Sequence, residues 1–172
     1  MRIRSNYGIE LKQLDYSDIE LVRNWRNQDF IRNNMEFQEI ITTEQQISWY
    51  NTISQSGDFY FMIKIQKQAI GLVHLNKINY HNNSAHVGVF IGEKSFIGTG
   101  ISFKVSMLIF QFSFEELKLE KVFAKIKNDH KSAVSYNQFL GFECTEEGPV
   151  FSVWELTRKG FEKASKKLKQ LI

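Results

Sequence analysis

Two glycines, Gly98 and Gly100, stand in the stretch FIGTGIS (96–102), just ahead of a long apolar run. Glycine allows a tight turn and lets a ligand approach backbone N–H groups closely. The first N–H groups of a following helix have no internal acceptors, and with the helix dipole they form an anion site suited to a pyrophosphate. No Gly-Lys-Ser follows, which excludes a P-loop, and the third glycine of a dinucleotide fingerprint is missing. An ordinary strand-to-helix turn would use the same residues, so the pair alone leaves both readings open. Further on, NDHKSAVSYNQFLGF (128–142) carries Tyr136. A phenol with a pKa near ~10 keeps its proton at pH 7 and can give it to a thiolate; it can equally do no more than pack a short helix. His86, on a strand pattern, titrates by type near ~6.5 and can accept a proton, bond a substrate or fill a strand edge. His74, within a strand, and His81, in a turn, are weaker candidates, as is His130. Cys144 has no evident base partner, which argues against a thiol intermediate.

The elements that must hold these groups follow from hydrophobic period. Ile9 and Leu11 alternate with polar neighbours as a short strand. Ser17 with Glu20 gives a capping-box signature ahead of Ile19, Val22 and Trp25 at helical spacing, and Thr42 with Gln45 repeats it ahead of Ile47, Tyr50 and Ile53. Residues 59–65, 69–80 and 85–92 read as three strands joined by short turns near Lys67-Gln68 and at HNNS (81–84), which predicts an antiparallel meander. A long helix over 101–117, a strand over 121–127, a short helix over 130–140 stopped by Gly141, and a last strand over 150–156 complete the order. A strand–helix–strand crossover after a meander predicts one α/β (α+β) domain with a mixed, mostly antiparallel twisted sheet and helices on both faces.

Composition bounds the partners. The 172 residues are 42% hydrophobic and 24% charged, with one proline and one cysteine, which fits a single globular domain. No apolar run nears the ~18 residues of a membrane span, and residues 1–14 lack the apolar core of a secretory signal. One thiol rules out an internal disulfide and leaves no cluster for a structural zinc, so a reducing cytoplasm is the simplest setting and no metal site is expected. The net charge is +3, concentrated in a basic tail at 157–172, where six Lys and Arg residues face one glutamate. That stripe reads as a solvated face or an anion-attracting one; without a matching groove elsewhere, it does not read as nucleic-acid binding. Phe103, Phe110, Phe112 and Phe114 crowd the long helix and hint at a homodimer.

The glycine turn and the later Asn128, Ala133, Tyr136, Gly141 and Phe142, in this order, resemble the GNAT superfamily of N-acetyltransferases over roughly residues 8–157. The resemblance implies acetyl-CoA as donor, with its pyrophosphate on Ile97, Gly98, Thr99, Gly100, Ile101 and Ser102. It implies backbone contacts to the acetyl and pantetheine groups from Val89, Phe90 and Ile91, in a gap where the central strands splay, and further contacts from Asn128 and Ala133. It makes Tyr136 the general acid and sets His86 where many relatives carry a glutamate. Ile97 replaces the usual arginine or glutamine and Ser102 the usual glycine or alanine; backbone N–H groups do most of the binding, so the turn should tolerate both.

The N-terminal half is similar to the acetyltransferases of nucleotide-linked 4-amino-4,6-dideoxy sugars, of the kind found in pseudaminic acid biosynthesis. Trp25-Arg26-Asn27, Gln46 and Trp49, and the run Asn76-Lys77-Ile78-Asn79-Tyr80 carry that likeness. It implies a small-molecule amine acceptor, a nucleotide sugar, held by Arg26, Gln46, Trp49, Asn76 and Lys77. Arg26 and Lys77 would neutralise its diphosphate, and Trp25 or Trp49 would offer a flat ring face. Enzymes that acetylate ribosomal-protein N-termini share the early helix pattern, and a CoA-binding module without catalysis is the other alternative; Tyr136 and Asn128 argue against the latter.

Overall fold

The structure is a computed structural model and describes residues 1–4 and 8–169. Among the described residues, eight strands form one sheet: β1 (Arg2–Arg4), β2 (Ile9–Gln13), β3 (Phe59–Ile65), β4 (Gln68–Asn79), β5 (Ser84–Ile91), β6 (Lys121–Lys127), β7 (Glu143–Glu146) and β8 (Phe151–Thr157). Their spatial order is β1-β2-β3-β4-β5-β6-β8-β7. Every pairing is antiparallel except β5 with β6, which the crossover through α4 (Ile101–Gln111) makes parallel.

Strand alternation sorts the side chains onto two faces. Phe61, Ile63, Val73, Leu75 and Ala85 belong to one core with Val105, Ile109 and Phe110 of α4 and with Phe161 and Leu168 of α6 (Arg158–Leu168). On the opposite face Met62 and Leu72 pack with Leu14, with Val22 and Trp25 of α1 (Ile19–Arg26), and with Ile31 of α2 (Asp29–Arg32). Trp49, Tyr50 and Ile53 of α3 (Thr43–Ile53) close that second core. The functional consequence lies at the centre of the sheet. β5 pairs with β6 only from Ser84 to His86, yet stays paired with β4 out to Ile91. Ser84 and Ala85 are buried, whereas residues 86–91 are half-exposed, because the partner strand has diverged.

Several local expectations shift. The first capping box belongs to Asp15 and Asp18, which open a 3-10 turn over Tyr16–Asp18, and not to Ser17 and Glu20; the Glu20 carboxylate instead pairs with Arg23. The Thr42–Gln45 box forms as read. The hairpin turn falls on Gln66 and Lys67, both at positive φ, so β4 begins one residue early. The long helix ends as a π-turn over Phe112–Glu116, where Arg158 donates to the carbonyls of Phe114 and Leu119. The basic tail is the N-capped helix α6, whose Phe161, Ala164 and Leu168 are buried while its lysines face outward. The short elements β1, α2 and β7 escaped the periodicity reading, being too brief to show a period. Phe110, Phe112 and Phe114 are all buried within the chain and Phe103 packs on Tyr136 and Phe139, so the phenylalanine surplus no longer argues for a dimer.

Candidate active site

A groove of ≈ 1650 Å³ runs through the gap between β5 and β6 and across the second face of the sheet. Single ligand pockets commonly hold about 300–1,000 Å³, so this one has room for two reactants. At one end lies the loop that opens α4. Gly98 and Gly100 both sit at φ +78°, a left-handed conformation that glycine adopts without strain, and a Cβ on either would meet only open space. Residues 97–100 are exposed. The N–H groups of Gly98, Gly100, Ile101 and Ser102 find no acceptor among the described residues. Four free amides at a helix start are a ready cradle for a phosphate pair. The strand edge continues it: beyond His86, every second residue of β5 turns its N–H and C=O away from β4 toward the gap. These features fit a long, diphosphate-bearing thioester.

Tyr136, on α5 (Lys131–Phe139), faces the same space. Its hydroxyl donates to the Ser102 carbonyl at 2.8 Å and lies 2.7 Å from Ser106 Oγ, while its ring packs on Phe103. Burial pushes the phenol well above its ordinary 10.0, so it stays protonated at every physiological pH.

The other end is walled by α1, α3 and the second face of the sheet. Arg26 ends α1 with its Nε buried and unpartnered among the described residues. Burial lowers its pKa, but a guanidinium does not give up its charge in proteins, so the groove carries an uncompensated cation. Lys77 stands at φ +51° in the bulge between Asn76 and Asn79, which turns its exposed side chain from the strand's regular alternation. Trp49 meets Tyr60 edge-on, 5.4 Å between centroids, and Tyr60 stacks on His74 at 5.2 Å. Asn76 Nδ2 donates to the Tyr60 hydroxyl at 3.3 Å. Burial, aided by the charge of Arg26 and by His86, drops His74 to about 4, and burial followed by Lys77 lowers His86. Both imidazoles are therefore held toward the neutral form. No group of three or more His, Cys, Asp or Glu among the described residues is arranged to hold a metal, and no helix is long and apolar enough to cross a membrane.

Residues 9–143 match the acetyltransferase (GNAT) domain family. The chain belongs to that family. It is an acetyl-CoA-dependent N-acetyltransferase, with the GNAT fold and acetyl-CoA as donor. It is 26% identical over 145 residues to the spermidine N(1)-acetyltransferase of Vibrio cholerae, an alignment that covers 83% of this chain and 82% of the relative. The crystal structure of a Vibrio cholerae spermidine N-acetyltransferase with CoA and spermine superposes with a TM-score of 0.79 at 22% identity, over 91% of this chain and 99% of that one. A domain from Methanocaldococcus jannaschii superposes at 0.77 with 21% identity, over 87% and 97%. At these identities the structures show the shared GNAT fold. The named relative acts on a polyamine, whereas the sequence likeness pointed to a sugar acetyltransferase.

This GNAT groove is lined by Val89, Phe90, Ile91, Ile97, Gly98, Gly100, Ser102, Ala133, Tyr136 and His86, and also by Arg26, Gln46, Trp49, Asn76 and Lys77. Thr99 and Ile101 are not among its lining residues; the Thr99 hydroxyl bonds back to the Phe96 carbonyl at 2.7 Å. Asn128 is not among the lining residues either, and its side chain is engaged within the chain. Its Nδ2 donates to the Gly148 carbonyl and its Oδ1 accepts from Ser152, both at 2.7 Å, so the amide ties β6 to the segment before β8. Gln46 is buried, and its Nε2 donates to the Ile19 carbonyl at 2.9 Å, fastening α3 to α1. Trp25 offers no ring face: it is fully buried with Nε1 on Glu93. Tyr60 and Ser106 were not among the sequence candidates, and His74 was ranked among the weaker ones. Tyr60 and His74 sit on strands as ordinary alternating residues, and only the cross-strand register puts them on the groove. Ser106 could have been found at i+4 from Ser102, on one side of α4.

Proposed function

We propose that the acceptor is the 4-amino group of a nucleotide-linked 4-amino-4,6-dideoxy sugar. The observation that carries this reading is the unpartnered guanidinium of Arg26 on the groove wall, with Lys77, at the bulge of β4, lining the same groove. A half-buried cation without a counter-ion loses part of its hydration, and a ligand diphosphate is a group that would offset that loss. Trp49 and Tyr60 supply flat rings for a sugar or base, and Asn76 a polar edge. Acetyl-CoA is then held by the amides of Gly98, Gly100, Ile101 and Ser102 and along the edge of β5 at Val89, Phe90 and Ile91. Tyr136 gives the departing sulfur its proton, and His86 contacts the acceptor.

The likeness to a spermidine acetyltransferase favours a second reading, a polyamine acceptor. Polyamines carry several ammonium charges and need carboxylates to receive them. Glu36 and Glu146 line this groove, but Glu36 is already paired with Lys125, as Lys127 is with Asp129, while Arg26 and Lys77 oppose further cations. Charge therefore favours the anionic acceptor. A CoA-release assay across UDP- and dTDP-linked 4-amino sugars, spermidine and N-terminal peptides tests the choice. Turnover is expected with the nucleotide sugars; turnover with spermidine or peptides alone overturns it, and acetyl-CoA binding without turnover of any amine would mean a binding module.

A further inference from the structure

We propose that His74 is the proton acceptor for the attacking amine, an assignment that rests on the groove being the transfer site. His74 stands on β4 directly across from Gly88 of β5, on the face that carries Asn76 and His86 one pair further along. A Cβ on residue 88 would lie 2.4 Å from His74 Cε1 and 2.8 Å from Nε2. The imidazole thus rests in the space left by a missing side chain, over the stretch of β5 whose outer edge borders the gap. Tyr60 stacks on the ring and fixes its plane. Neither ring nitrogen is hydrogen-bonded among the described residues, and the residue lines the groove. An ordered, neutral, unpartnered imidazole on a reaction groove is a lone pair without an assigned task.

The charged and titratable groups facing it are Arg26 from α1, Tyr60 from β3 and His86 from β5; the first and last of these oppose its protonation. Being uncharged at pH 7, it can accept a hydrogen bond from the amine N–H and direct the nitrogen lone pair at the acetyl carbon. As the C–N bond forms, the C–S bond breaks and its electron pair stays on sulfur. The proton leaving nitrogen passes to His74 and on to solvent, and the thiolate is protonated by Tyr136 or water.

The test uses His74→Ala in the CoA-release assay with two amines, the acceptor chosen by the screen above and hydroxylamine, which needs no sugar pocket. Turnover is expected to fall about 30-fold or more with both, with acetyl-CoA affinity by calorimetry within about twofold, and added imidazole should restore part of the rate. Gly88→Ala, which keeps the histidine but drives a methyl into its ring, should lower turnover in the same way without the imidazole rescue. Hydroxylamine turnover within threefold of the parent in His74→Ala, or a loss confined to the larger acceptor, overturns the assignment. Failure of the acceptor reading looks different: the parent protein would turn over hydroxylamine but no nucleotide sugar, and His74 would then be judged on hydroxylamine alone.

Discussion

At the end of the groove proposed for the donor, the groups on offer are main chain: four free amides at the start of α4 and the outer edge of β5. At the end proposed for the acceptor they are side chains: Arg26, Trp49, Tyr60, His74, Asn76, Lys77 and His86. A main-chain site survives substitution as long as the backbone keeps its shape. That is why Ile97 and Ser102 can depart from the family's usual residues while Gly98 and Gly100 hold the left-handed turn. A side-chain site changes its ligand with each substitution. A donor site of this kind is set by backbone shape, whereas an acceptor site must be argued residue by residue.

The sharpest break between the halves is expected at Tyr136, which belongs to the donor side yet acts through its side chain. Tyr136→Phe should lower turnover about 100-fold, the usual scale of a lost proton donor, with acetyl-CoA affinity nearly unchanged. Steady-state CoA release paired with calorimetry reads both; an unaltered rate would return the residue to a packing role against Phe103 and Ser106.

A second measurement concerns pH. His74 is lowered from 6.5 to about 4 in the folded chain, so between those values the unfolded state binds more protons. Its contribution is therefore a loss of stability as pH falls from about 6.5 to 4, at most on the order of 3 kcal/mol. Thermal melts across that window should fall more steeply for the parent than for His74→Gln; parallel curves would show that the ring is not held neutral.

Arg26→Gln probes the acceptor side alone. The expected change is about tenfold in acceptor KM, the scale of one lost charge-assisted contact, with the acetyl-CoA KM unmoved. A matching rise for both substrates would place the guanidinium outside the acceptor wall.

The smallest effect on binding is expected at Asn128. Because its amide is spent on Gly148 and Ser152, Asn128→Ala should cost about 1–3 kcal/mol of stability while acetyl-CoA affinity stays within about twofold. Denaturant midpoints beside calorimetry separate the two, and a large loss of affinity in a stably folded variant would reinstate the donor contact.

Much of the frame was legible beforehand because period is a local property. The meander, the crossover, the strand over 121–127 and the Thr42–Gln45 cap all follow from residues a few positions apart. The residue type of Asn128 fits a ligand contact, but the partners it bonds within the chain lie 20 and 24 positions away, beyond the reach of local patterning. Gln46, though it lines the groove, and Trp25, which does not, are likewise each bonded to a distant carbonyl or carboxylate. His74 ranked among the weaker candidates as an ordinary strand residue, and only its register with Gly88 gives it a place.

By itself the sequence determined the glycine turn before a helix, the alternation that makes a sheet, and hence a donor site of backbone amides. These depend on near neighbours and on which residues can adopt positive φ. Tertiary structure alone decided which polar side chains were left for a substrate. Whether an amide or guanidinium is free depends on acceptors brought from elsewhere in the chain, and a buried polar group takes any that comes within reach.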